Sequence, residues 1–91
     1  MVMFDEGISK KVSKGLVPLE IFVHINNAFI AIDLTKDLNL FDIKQLKTSK
    51  STDRVYYRLR KGKYRAIFYI DGENIMVIEI DKREEVYKKW Q

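Results

Sequence analysis

Apolar residues recur every third or fourth position in the first part of the chain and every second position after residue 54, with a polar break at 48–53 between the two regimes. Those two periods belong to helix and strand. Residues 2–4 fit a short strand. In residues 5–14, Ile8 and Val12, followed by Leu16, recur at a four-residue spacing while lysines fill the other face, which predicts a helix. Asp5 and Glu6 stand at its N-terminus, where the helix dipole favours acids. Gly15 marks its end, and Pro18 a fresh start at a first-turn position.

Residues 19–34 admit two readings. LEIFVHI and AFIAIDL flank an Asn-Asn pair and are rich in β-branched residues, as in a hairpin. As a helix, Ile21, Phe22, Ile25, Ala28, Phe29 and Ile32 share one broad face, and Leu19, Val23, Ile30 and Leu34 form a second stripe almost opposite. A helix apolar on two sides is sandwiched between two partners. Residues 37–47, DLNLFDIKQLK, read as a connecting segment anchored by Leu38, Leu40, Ile43 and Leu46, and TSKSTD (48–53) as a polar loop. Three strand-like runs follow at 54–61, 63–70 and 74–81. Gly62 breaks the first pair, and Asp71-Gly72 is a hairpin turn signal for the second. KREEVYKKWQ closes the sequence as a helix, with Val86, Tyr87 and Trp90 on adjoining positions.

VYYRLRKGKYRAIFYI, residues 55–70, carries the chemistry. With Lys61-Gly62 as a two-residue turn, Arg60 pairs with Lys63, Leu59 with Tyr64 and Arg58 with Arg65. Partners across a ladder share a face. One face then holds Val55, Tyr57, Leu59, Tyr64, Ala66, Phe68 and Ile70, an apolar layer for helices to cover. The other holds Arg54, Tyr56, Arg58, Arg60, Lys63, Arg65, Ile67 and Tyr69: five cations interleaved with aromatics, and no acid. Guanidinium groups fork onto phosphate oxygens and aromatic rings stack on bases, so this face suits a nucleic acid.

Composition sharpens that reading. Residues 1–53 hold seven basic and seven acidic side chains, whereas 54–91 hold ten and six, so the whole net charge of +4 lies in the second part. A polyanionic partner fits such asymmetry. The absence of cysteine excludes disulfides, thiolate metal sites and cysteine nucleophiles, and fits a reducing compartment. MVMFDEG places two acids where a signal peptide needs basic residues, and no apolar run reaches membrane-spanning length. The expectation is one cytoplasmic domain over 1–91. Glu79 and Asp81 share a strand face, but no histidine accompanies them, and no metal-ligand spacing or phosphate-binding glycine loop occurs.

YYRLRKGKYRAIFYI, followed by a turn, a strand and KREEVY, resembles the RelE/ParE superfamily of toxins from type II toxin–antitoxin modules, over residues 55–90. The pattern there is an arginine-flanked hairpin ending in Gly-x-Tyr-Arg, then a closing strand, then a basic pair shortly before a Val-Tyr. The resemblance implies an α+β fold: two N-terminal helices packed on a twisted, mainly antiparallel sheet of about four strands, with a short C-terminal helix. It favours the helical reading of 19–34.

The same resemblance implies a ribosome-dependent mRNA endonuclease, cutting by 2′-hydroxyl attack without metal or other cofactor. A base must take the 2′-hydroxyl proton, cations must stabilise the phosphate, and an acid must protonate the departing oxygen. Carried over by position, Arg65 and Arg83 are the transition-state clamps, Arg58 and Arg60 the basic hairpin positions, and Tyr87 the candidate base, its phenol lowered by surrounding cations. Arg54, Tyr56, Lys61 and Lys63 are candidate RNA-binding residues. A cognate antitoxin is the implied partner beside the ribosome and its mRNA, covering Leu19, Val23, Ile30 and Leu34; no membrane or small-molecule substrate is expected. Lys82 stands where many relatives carry a histidine, and the only histidine, His24, lies in 19–34. The ParE branch implies instead a non-enzymatic DNA gyrase inhibitor. The missing histidine leaves room for an inactive member that only binds RNA or its antitoxin.

Overall fold

The structure, a computed structural model, describes residues 1–46 and 54–90. The polar loop expected at 48–53 lies outside the described residues. Strand β1 (Val2–Phe4) leads into helix α1 (Glu6–Ser13), then α2 (Leu19–Thr35), a short 3-10 turn (Leu38–Leu40) and β2 (Ile43–Gln45). Strands β3 (Tyr57–Lys61), β4 (Tyr64–Asp71) and β5 (Asn74–Lys82) precede helix α3 (Arg83–Trp90). The sheet order is β1-β5-β4-β3-β2, antiparallel except for the parallel β1–β5 pair. Both edges are three-residue strands.

The local signals act as their chemistry dictates. Asp5 caps α1, its carboxylate accepting from the Gly7 amide at 3.0 Å. Gly15 takes φ +76°, and the amides of Gly15 and Leu16 donate back to Val12 and Lys11 carbonyls at 3.1 and 2.9 Å. That Schellman pairing ends the helix. Pro18 sits one place before α2, as its N-cap, and its carbonyl accepts from the Phe22 amide at 3.0 Å.

Residues 19–34 are helical. Ile25, Ala28, Phe29 and Ile32 of α2 are buried against Leu59, Ala66, Phe68, Ile75, Val77 and Ile80, with Ile8 and Val17 closing the cluster. Phe29 stands edge-on to Phe68 at 4.9 Å between ring centroids. Burying such side chains is worth roughly 1.5–3 kcal/mol each, so this layer is the main source of stability.

The hairpin register differs from the expected one. Lys61 pairs with Tyr64, Arg60 with Arg65, Leu59 with Ala66 and Arg58 with Ile67. The turn is therefore Gly62-Lys63 rather than Lys61-Gly62. Gly62 has φ +57°, and a glycine-first turn places that conformation at the first central position. Each partner moves by two residues, an even step, so the faces survive. The next hairpin turns likewise on Gly72-Glu73, one residue beyond the expected pair.

Two features had no forecast. DIKQLK is not only a connection: Ile43, Lys44 and Gln45 pair with Leu59, Arg58 and Tyr57 as an edge strand. In β5, Ile67 faces Glu79 while Phe68 faces Val77, so Ile78 is an extra, bulged residue. The bulge keeps Ile75, Val77 and Ile80 together in the core and turns Glu79 and Asp81 to the other face.

Candidate active site

Helix α3 lies over the face that carries the arginines, touching β4 and β5. That face is not the open cationic platform that strand alternation alone implies. Ile67 and Val86 are fully buried, forming a small second core. Tyr56 packs against Trp90 and Tyr69, with ring centroids 5.0 and 5.8 Å apart. The Tyr56 ring, expected to bind RNA, is thus half-buried among its own neighbours. Arg54 lies over the Tyr69 ring at 4.0 Å, at the far end of the face from the β3–β4 turn.

The cations at the turn end are held by specific contacts. Arg58 and Arg60 both approach Asp42, each at 3.7 Å, from the residue just before β2. Arg65 is only 4% exposed. Its Nη1 donates to the carbonyls of Gly62 and Tyr64 at 2.8 and 2.9 Å, and its Nε is buried without a partner. Burial, then the positive charge of Arg60 directly opposite, brings this guanidinium below its ordinary range.

The first turn of α3 completes the arrangement. The Arg83 amide donates to the Lys63 carbonyl at 2.9 Å, tying the helix start to the hairpin turn. The Arg83 guanidinium lies 5.1 Å over the Tyr87 ring. Hydrogen bonding and charge from Arg83, with a further contribution from Arg65, hold the Tyr87 phenol below the ordinary tyrosine value. Beside it, a groove of about 460 Å³ runs between β2 and α3, lined by Lys44, Gln45, Leu46, Arg58, Val86, Tyr87 and Trp90. The exposed cations, the phenol and the groove together offer what an RNA phosphate needs: charge, a proton acceptor and room.

The structure thus brings Arg58, Arg60, Arg65, Arg83 and Tyr87 to one side of the sheet. Lys61 and Lys63 fall elsewhere than expected. Lys61 shares its face with Leu59 and Tyr64, towards the α1–α2 layer, and Lys63 occupies the turn itself. Sequence reasoning missed Asp42 and Lys44. Their signal is DIKQLK, whose strand pairing brings Lys44 opposite Arg58. The carboxylates Glu79 and Asp81 are occupied by Lys11 at 2.7 and 2.8 Å, and Lys89 adds a contact to Glu79 at 3.3 Å. Leu19, Val23, Ile30 and Leu34 are all exposed on α2. No helix among the described residues is long and apolar enough to cross a membrane.

No family model and no curated protein matches the chain. Solved structures do. A chain of the RelB-RelE antitoxin-toxin complex from Methanococcus jannaschii matches with a TM-score of 0.70 and 26% identity, over 98% of this chain and 99% of that one. A chain of the archaeal RelE-RelB complex from Pyrococcus horikoshii matches with a TM-score of 0.64 and 20% identity, over 90% and 92%, a likeness of fold. The resemblance carried by YYRLRKGKYRAIFYI and KREEVY therefore extends through nearly the whole chain, which has the RelE-like fold.

Proposed function

We propose that this protein is the toxin of a toxin–antitoxin pair and a ribosome-dependent mRNA endonuclease. The observation that carries the reading is the groove that Tyr87 of α3 shares with Arg58 of the β3–β4 hairpin, with Arg83 over the Tyr87 ring, on a RelE-like fold. In the proposed reaction the ionised Tyr87 oxygen takes the proton of a ribose 2′-hydroxyl. The 2′-oxygen bonds to phosphorus, the bond to the 5′-oxygen breaks, and the leaving oxygen takes up a proton from water. Arg83, Arg60 and Arg58 carry the charge that gathers on the phosphate. Substrate phosphate displaces Asp42 from the two hairpin arginines. Arg54, and Lys63 at the turn, extend the positive field along the message.

The matched Methanococcus jannaschii chain comes from an antitoxin-toxin complex, and an antitoxin partner is proposed here too. It covers the exposed stripe of Leu19, Val23, Ile30 and Leu34. Residues 1–91 act as one domain in the cytoplasm, where ribosomes are found.

Primer extension on mRNA from a reconstituted translation reaction tests the reading, with wild type and Arg83→Ala compared. New 5′ ends that need ribosomes and disappear in the variant are expected. Intact mRNA with wild-type protein overturns it. Blocked DNA supercoiling in the same preparation then moves the reading to gyrase inhibition.

A further inference from the structure

We infer that Arg65 is a positioning residue: it fixes the 62–64 turn to which α3 is tied, so that Arg83 and Tyr87, rather than Arg65 itself, meet the RNA. Its role in cleavage rests on the ribonuclease reading above; the tie between turn and helix does not.

The three successive carbonyls of Gly62, Lys63 and Tyr64 are divided between two arginines. Arg65 Nη1 takes the first and third at 2.8 and 2.9 Å, and the Arg83 amide takes the middle one at 2.9 Å. A single guanidinium nitrogen thus clamps the backbone on both sides of the residue that receives α3. Fixing those two carbonyls fixes the direction of the third. The helix start inherits that direction, and with it the place of the Arg83 side chain over Tyr87.

Accessibility points the same way. Arg65 is almost fully enclosed, whereas Arg83 is exposed and the Arg60 side chain retains over half of its exposure. Of the arginines on this face, Arg58 lines the groove beside Tyr87, whereas the enclosed Arg65 does not reach its wall. Burying a cation opposite Arg60, with its Nε unpartnered, costs stability. The two carbonyl bonds and the neighbouring phenol offset part of that cost. Lysine does not replace this clamp, because its ammonium lies one bond nearer the backbone than the Nη1 that reaches both carbonyls.

The test is amide hydrogen exchange by NMR on wild type, Arg65→Lys and Arg65→Met, with ribosome-dependent cleavage measured in parallel. At least tenfold faster exchange of the Arg83 amide is expected in both variants, while the β4–β5 ladder around Phe68 and Val77 keeps its protection. Cleavage should fall at least tenfold in both, with Lys no better than Met. An Arg83 amide that stays protected in both variants overturns the inference, and direct action of Arg65 on phosphate then accounts for any lost cleavage. Loss of protection throughout the β4–β5 ladder also overturns it, since Arg65 would then be a folding residue. Should wild type leave mRNA whole, the ribonuclease reading fails, yet the exchange data still decide whether Arg65 holds α3.

Discussion

The two faces of the sheet are built from the same strands and differ in almost everything else. Under α1 and α2, residues of alternate parity form an unbroken apolar layer centred on Phe29 and Phe68. Under α3, the intervening residues make a patch of apolar cover around Ile67 and Val86, bordered by arginines whose charges are only partly answered. The first face is saturated, so a change there is felt as lost stability. The second keeps unspent charge, so a change at its rim is felt as lost chemistry. Stability and proposed activity should therefore separate by face.

The sharpest break of that contrast is Phe29→Ala. It removes the ring packed edge-on to Phe68 and should cost about 3–5 kcal/mol, read as a lower urea midpoint at unchanged slope. In a domain of this size that is a large share of the total. On the other face, Arg83→Ala should lower cleavage about 10²-fold or more, the scale of losing one transition-state charge donor. Its unfolding free energy, from the same urea titration, should stay within about 0.5 kcal/mol of wild type, as for an exposed side chain.

The pH profile sharpens the comparison further. Because Arg83, and then Arg65, lower the Tyr87 phenol, the active phenolate accumulates as pH rises and the rate should level off below the ordinary tyrosine value. In Arg83→Gln the phenol loses its main cation, so the plateau should move to higher pH. A profile with the same midpoint in both proteins would remove Tyr87 from the role of base.

Lys11 tests the seam between the faces, since it reaches from α1 to Glu79 and Asp81. Burial alone would lower its pKa, but hydrogen bonds to Asp81 and Glu79 more than compensate and raise it. Burial likewise opposes ionisation of Glu79 and Asp81, and the Lys11 bonds outweigh it, lowering both. The two carboxylates contribute stability above their unfolded pKa values and lose it as pH falls through their lowered folded values. Lys11 contributes below its unfolded pKa and loses it as pH rises through the raised folded one. Lys11→Met should therefore cost about 1 kcal/mol, discounted for the groups' exposure. Thermal unfolding should show that difference as a plateau between mildly acidic and alkaline pH, shrinking at both ends. Smallest of all, Asp42→Asn should tighten binding of a short RNA up to about fivefold, as expected of a single exposed ion pair. A titration at two salt concentrations would measure it.

Much of this was readable from residue types. Asp5, Gly15 and Pro18 act locally, so α1 and the start of α2 could be placed from them. The parity of Leu59, Ala66 and Phe68 against Arg58, Arg65 and Ile67 was also legible, because a two-residue shift in pairing leaves parity intact. The shift itself was not, since it depends on which central position Gly62 occupies. Strand β2 was hidden because Ile43, Lys44 and Gln45 become a strand only by pairing with β3, with no run of alternation of their own. Of the candidate site, the residues could be named but not their states. That Arg65 is enclosed and Tyr56 packed follows from where α3 lies, a tertiary fact with no local signature.

The parallel pairing of β1 with β5 bears on synthesis. Val2 lies beside Ile75, so the first strand leaves the ribosome roughly seventy residues before its partner. Closing so long a loop delays the contact, and α1 and α2 emerge with their apolar faces uncovered. Arg83 and Tyr87 come later still. A nascent chain therefore cannot assemble the proposed site until nearly all of the described fold has been made, and the cleavage proposed above would spare the ribosome that builds this protein for that interval.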